Sequence, residues 1–165
     1  METIFVGDTI TKKVHLSAEE VHPEKVFKIA RPGANLNELT EDVCFFLKKL
    51  HKNATRLIMQ FGYQDFRVGN SEVLRKDVLH LLEKMKQSGI EVILSGPIPY
   101  PAMTNLSFSR MYAFHTWLQE QKVSYVSNFG EFWDNSIDLF LDDGFTLSNK
   151  GILTIERNIS ACLQD

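Results

Sequence analysis

The sequence predicts an α/β protein: a flavodoxin-like three-layer sandwich around a five-stranded, mostly parallel sheet. Two observations carry that prediction. Short apolar runs alternate with helical stretches of 12 to 17 residues, the pattern of βαβ units with a sheet covered on both faces. Each run is closed by turn-forming residues such as Gly7-Asp8, Pro32-Gly33 and Gly96-Pro97. A chain of 165 residues that is 44% hydrophobic and holds 12 Phe can bury one sizeable core, so a single domain over 1–165 is expected.

The elements follow in order. Thr3 to Val6 reads as a buried strand feeding the turn at Gly7-Asp8, and Val26 to Ile29 as a second strand. Leu36 to Lys52 places Leu36, Leu39, Val43, Phe46, Leu47 and Leu50 at helical spacing, with Asn35 as its cap. Arg56 to Phe61 is a further buried strand. Ser71 to Gln87 is a helix with Leu74, Val78, Leu81 and Met85 on one face, stopped by Gly89. Glu91 to Leu94 is the fourth strand, followed by a loop with Pro97, Pro99 and Pro101. A helix from about Ser107 to Gln121, a short strand at Ser124 to Val126, an irregular stretch rich in Phe and Asp, and a helix from Asn149 to Leu163 complete the pattern. Ser148 or Asn149 caps that last helix.

Composition narrows the function classes. A net charge of −3 and a pI near 6.0 supply no global basic field for nucleic acid or an anionic membrane. Basic residues are scattered, with only short pairs such as Lys12-Lys13, Lys48-Lys49 and Arg75-Lys76, which read as solvated helix faces. Cys44 and Cys162 have no metal-ligand spacing and read as reduced core thiols, so neither a metal nor another cofactor is expected. No apolar run nears the ~20 residues that cross a bilayer. Glu2 and Asp8 break the pattern of a signal peptide, and a cytoplasmic or nuclear setting is expected.

In a parallel sheet of this kind, sites form beyond the carboxyl ends of the strands, where strand order reverses. Four segments stand at such places. Asp8-Thr9 follows the first strand; the Thr9 hydroxyl can attack a carbonyl if a base takes its proton, and both residues serve equally well as caps of a helical turn. Pro32-Gly33-Ala34-Asn35 offers the Gly33 N–H to a developing oxyanion, or is an ordinary turn capped by Asn35. Gln64-Asp65 follows the third strand: Gln64 can aim its amide into the crevice, and Asp65 can brace the loop by accepting backbone N–H groups. Asp143 precedes the last helix with Thr146 three residues on; as a plain loop acid it needs no partner. Of the histidines, His15 and His22 come early, His51 and His80 fall at helix ends or surfaces, and His115 lies in an apolar helix. None follows a strand end where a base would be needed.

Taken together, the segments FVGDT, RPGA, LIMQFGYQDF, EVILSGPIPYP, SRMYAFHTWL, SNFGEFWDN and DDGFTLSNKG resemble the SGNH (GDSL-type) hydrolase family. The likeness is nearest to the esterase-like domain of the first open reading frame of vertebrate LINE-type retrotransposons. In that family the motifs read Gly-Asp-Ser, Gly-x-Asn-Asp and Asp-x-x-His. The resemblance implies that Thr9 stands at the nucleophile position, Gly33 and Gln64 at the oxyanion hole, Asp143 at the triad acid and Thr146 at the triad base, with Asp8 and Asp65 supporting. Only Gly33 and Asp143 of the five principal positions keep the family's residue type. Losing the base leaves at most the contribution of the oxyanion hole and binding, ~10³–10⁴-fold over water. The resemblance therefore implies a pseudo-esterase that serves as a binding or assembly module, its crevice of Thr9, Gly33 and Gln64 holding an acyl or lipid-like molecule, or a protein partner docking near Phe129, Phe132 and Trp133. A slow esterase with Thr9 as nucleophile is the second reading, and an RNA-binding module the third.

Overall fold

In the computed structural model of the chain, the described residues are 2–16, 25–68 and 71–163. His22 lies outside them. Five strands form one fully parallel sheet: β1 (Glu2–Gly7), β2 (Lys25–Ala30), β3 (Ala54–Gln60), β4 (Glu91–Ser95) and β5 (Ser124–Val126), in the order β2-β1-β3-β4-β5. Strand order reverses between β1 and β3, so their carboxyl ends bound a crevice.

The central strands alternate strictly in what they face. Ile4, Val6, Leu57, Met59 and Leu94 pack on one side with α1 (Leu36–Lys49), α3 (Ser71–Gln87) and α4 (Asn105–Glu120). Phe5, Ile58 and Ile93 pack on the other with α7 (Asn149–Leu163) and the short helices α5 (Phe129–Asp134) and α6 (Ser136–Leu139). With both faces covered, strand sequences read as unbroken apolar runs. Each such side chain, once buried, contributes about 1.5–3 kcal/mol to holding the layers together.

The observed boundaries differ from expectation in instructive places. The stretch expected to be irregular holds α5 and α6. Phe129 and Phe132 are buried in that segment rather than exposed, at 4% and 0%, and of these three aromatics Trp133 alone reaches the surface. α1 stops at Lys49, three residues early, where the His51 N–H turns back to the Phe46 carbonyl that already takes the Leu50 N–H. Asn35 caps α1 through a reciprocal capping box with Glu38. α4 begins two residues early because Thr104 Oγ1 accepts the Ser107 N–H. Ser148 Oγ accepts the Gly151 N–H at the start of α7, as one of the two expected caps.

A buried polar chain ties the second face to the sheet. Ser95 Oγ donates to Gln60 Oε1 at 2.6 Å, Asn128 Nδ2 donates to Ser95 Oγ at 3.3 Å, and Asn158 Nδ2 on α7 donates to Asn128 Oδ1 at 2.7 Å. Such a chain favours one register of helix on sheet, because any other loses these buried bonds; Gln60 Nε2 has no partner among the described residues.

Candidate functional site

The site begins where β1 ends. A Cβ at Gly7 would lie 1.9 Å from Thr11 Oγ1 and 2.6 Å from the Gln60 carbonyl, so only glycine lets the chain turn back against β3. That turn continues into a single 3-10 turn, Thr11–Lys13. Asp8, wholly buried, accepts the Ile10 N–H at Oδ1 (3.2 Å) and the Tyr63 N–H at Oδ2 (3.3 Å), which joins the loops after β1 and β3. Burial pushes its carboxyl up to about 7 even though the two N–H groups favour the anion. Asp65 opens the one-turn helix α2 (Asp65–Val68) and accepts the Leu36 N–H at 3.1 Å, bracing the start of α1. Burial raises it to about 6, and its Oδ2 has no partner among the described residues.

Thr9 is half-buried, and its Oγ1 accepts the Gly33 N–H at 3.0 Å. The structure thus brings these two residues together, with the backbone donor of Gly33 already engaged by the threonine oxygen. Gly33 holds φ +78°, in the left-handed region, with nothing near its open side. Asp143 and Thr146 are also brought together. Thr146 Oγ1 donates to Asp143 Oδ2 at 2.6 Å, and the Phe145 and Thr146 N–H groups both donate to Oδ1 at 2.8 Å. The Thr146 hydroxyl and these N–H groups hold the exposed Asp143 carboxyl below the usual carboxylate range.

Thr9 and Thr146 line one cavity of about 170 Å³. Ile10, Ile98, Phe140, Leu147 and Ile152 form its apolar wall, Tyr63, Tyr100 and Phe145 its aromatic wall, and Lys13 its one charged residue. Phe145 packs against both tyrosines, with ring centroids 4.7 and 5.2 Å apart, and carries the Arg67 guanidinium over its ring at 4.8 Å. Burial raises the Tyr63 phenol to about 12 and moves Tyr100 upward as well.

Of the expected crevice residues, Thr9 lines this cavity and Gly33 adjoins it through its N–H bond to Thr9. Gly33 and Gln64 are absent from the described cavity lining, and Gln64 sits in the turn before α2 with its carbonyl accepting the Arg67 N–H. The residues that sequence reasoning missed are Lys13, Tyr63, Tyr100 and Phe145. The first two lie within five residues of motif positions and Phe145 within the Asp143–Thr146 segment, which was the signal available; Tyr100 comes from a proline-rich loop with none. No described histidine lines the cavity. His115 is buried with Nδ1 2.8 Å from the Tyr125 hydroxyl, and burial lowers its pKa; His51 packs on the Phe27 ring. Among the described residues no group of three or more His, Cys, Asp or Glu is placed to hold a metal ion. No described helix is long and apolar enough to cross a membrane.

The fold has solved counterparts. TesA is 16% identical with a TM-score of 0.78, covering 99% of this chain and 98% of that one. A lipase/acylhydrolase from Enterococcus faecalis is 17% identical with a TM-score of 0.73, covering 98% and 94%. The esterase domain of the ZfL2-1 ORF1 protein from a zebrafish retrotransposon is 28% identical over the whole of both chains, with a TM-score of 0.52. These neighbours are GDSL/SGNH lipases and acylhydrolases, and the chain has the SGNH hydrolase fold. No family model matches the chain. A phosphoglucosamine mutase of Paramagnetospirillum magneticum is 36% identical over 76 residues, 46% of this chain; the chain spans 15% of that enzyme.

Proposed function

We propose that residues 1–165 are a single hydrolase-fold domain that has lost its catalyst, a pseudo-esterase of retrotransposon type acting as a binding module for an acyl or lipid-like molecule. One observation carries the reading: where a triad would pair an acid with a histidine, Asp143 Oδ2 accepts the Thr146 hydroxyl at 2.6 Å. A threonine hydroxyl takes no proton near neutral pH, so nothing at that position activates Thr9. The 3.0 Å bond from the Gly33 N–H to Thr9 Oγ1 supports the same reading, since an oxyanion would compete with Thr9 for its donor.

Hydrolysis of p-nitrophenyl acetate and butyrate tests it. The chain as it stands is expected at background, and a Thr9→Ser, Gln64→Asn, Thr146→His triple variant at least about a hundredfold above it, the scale of a restored oxyanion donor alone. Turnover by the unaltered chain that disappears in Thr9→Ala would overturn the proposal. The zebrafish domain, 28% identical and described as an esterase, favours a second reading in which Thr9 is a slow nucleophile. A fluorophosphonate probe separates the two, because it labels an esterase and spares a domain without an activated hydroxyl.

A further inference from the structure

A cavity that no longer performs acyl transfer still selects what enters it, and its lining is asymmetric in charge. Lys13 is the single ionised group among the eleven residues that line it, and no carboxylate is among them. Of the acids beside the cavity hydroxyls in the chain, Asp8 is wholly buried with its oxygens on the Ile10 and Tyr63 N–H groups, and Asp143 has both oxygens committed within its own turn. Lys13 also borders an adjoining groove with Lys12 and His15. Thr9 contributes a second recognising group: its oxygen accepts from Gly33, and its own O–H remains to donate to an acceptor within the cavity.

Size and polarity limit the rest of the ligand. A dry cavity of ~150 Å³ lined by apolar side chains takes a benzene ring. The cavity of about 170 Å³ here therefore suits an apolar body of about six carbons lying against Ile98, Phe140, Phe145 and Ile152. One ammonium and one hydroxyl donor match one monovalent acceptor head, and a compact carboxylate presents two oxygens to them. We infer that the cavity binds a free short-chain or aromatic carboxylate, tail against the apolar wall and head between Lys13 and the Thr9 hydroxyl. The site is then selective for the acid rather than for an ester of it. The inference rests on the proposed loss of catalysis.

Calorimetric titration with hexanoate and with hexanamide, at low salt, on the unaltered chain and on Lys13→Gln tests it. Lys13 is exposed, so the variant is expected to fold, and circular dichroism checks that it does. The expected result is hexanoate binding at least about tenfold more tightly than hexanamide, the scale of one charge-assisted hydrogen bond, with the preference reduced to under about threefold in Lys13→Gln. A Thr9→Val variant should weaken hexanoate by a further few-fold. Equal binding of the two ligands, a preference that survives Lys13→Gln, or no binding of either overturns the inference. Hydrolysis of a hexanoyl ester by the unaltered chain would instead overturn the loss of catalysis, a separate outcome read in a separate assay.

Discussion

Asp8 and Asp143 are two carboxylates of one site, each accepting backbone N–H groups, and the fold treats them oppositely. Asp8 is wholly buried and joins loops 55 residues apart in sequence, and burial raises it to about 7. Asp143 is exposed, serves only its own turn, and is held low by Thr146 and two N–H groups. Hydrogen bonds alone favour both anions; desolvation decides the sign where water is excluded. The crevice is thus a rigid frame at the ends of β1 and β3 with a self-closed turn laid over it. A substitution in the turn is absorbed locally, whereas one in the frame reaches the core.

The sharpest way to break that contrast is pH. Asp8 and Asp65 have folded pKa values of about 7 and about 6, above the ordinary 3.8, so the folded state holds protons that the unfolded state releases. Their contribution to stability is fully present below about pH 4 and is lost as pH rises through 6 and 7. Asp8 alone makes the loss up to about 4 kcal/mol, from roughly three pKa units at ~1.36 kcal/mol each. Asp143 works the other way, its contribution lost only as acid protonates it below the usual carboxylate range. Urea unfolding between pH 4.5 and 8 should show the decline, and Asp8→Ala should flatten it. That variant should cost about 2–3 kcal/mol at pH 5, where it orphans two N–H groups, and less at pH 8, where it also removes a buried charge. A penalty independent of pH would refute the account of Asp8.

Gly7→Ala should rank next. Its Cβ meets Thr11 Oγ1 and the Gln60 backbone at distances no carbon tolerates, and a loss of about 3 kcal/mol is expected from the denaturation midpoint. Gly33→Ala, on the rim with open space around it, should lose only about 1 kcal/mol, from its left-handed backbone. If the two glycines proved equally sensitive, frame and rim would not differ as described. Thr146→Val should matter least for folding, within about 0.5 kcal/mol, because it removes one hydrogen bond from a half-buried surface turn. A Tm drop comparable to that of Gly7→Ala would place the turn in the frame.

Much of this architecture is legible from local residue patterns. The apolar runs around Ile4, Leu57 and Ile93 mark the central strands because a strand buried on both faces needs no polar residue. Asn35 and Ser148 announce helix starts because capping acts within three residues. The Phe-rich stretch from 129 to 140 was opaque, since its two short helices exist only by packing Phe132 and Leu139 against α7 and the sheet. For the site, the sequence places Thr9 and Thr146 at strand and helix boundaries, where they do line one cavity. Gln64 stands in the turn immediately before α2, its carbonyl taking the Arg67 N–H.

By itself the sequence determined the alternation of strand and helix, the sheet class, and the absence of a histidine from the segments that follow the strand ends. These are properties of residue type and spacing, which act over a few positions. Only the tertiary structure decided that Thr9 takes the Gly33 N–H, that Thr146 closes on Asp143, and that Lys13, Tyr63, Tyr100 and Phe145 share one cavity. The cavity gathers residues up to 137 positions apart in the chain, Thr9 and Thr146. These contacts depend on how two faces of a sheet bury their helices, a balance of burial and polar pairing that no short window of sequence contains.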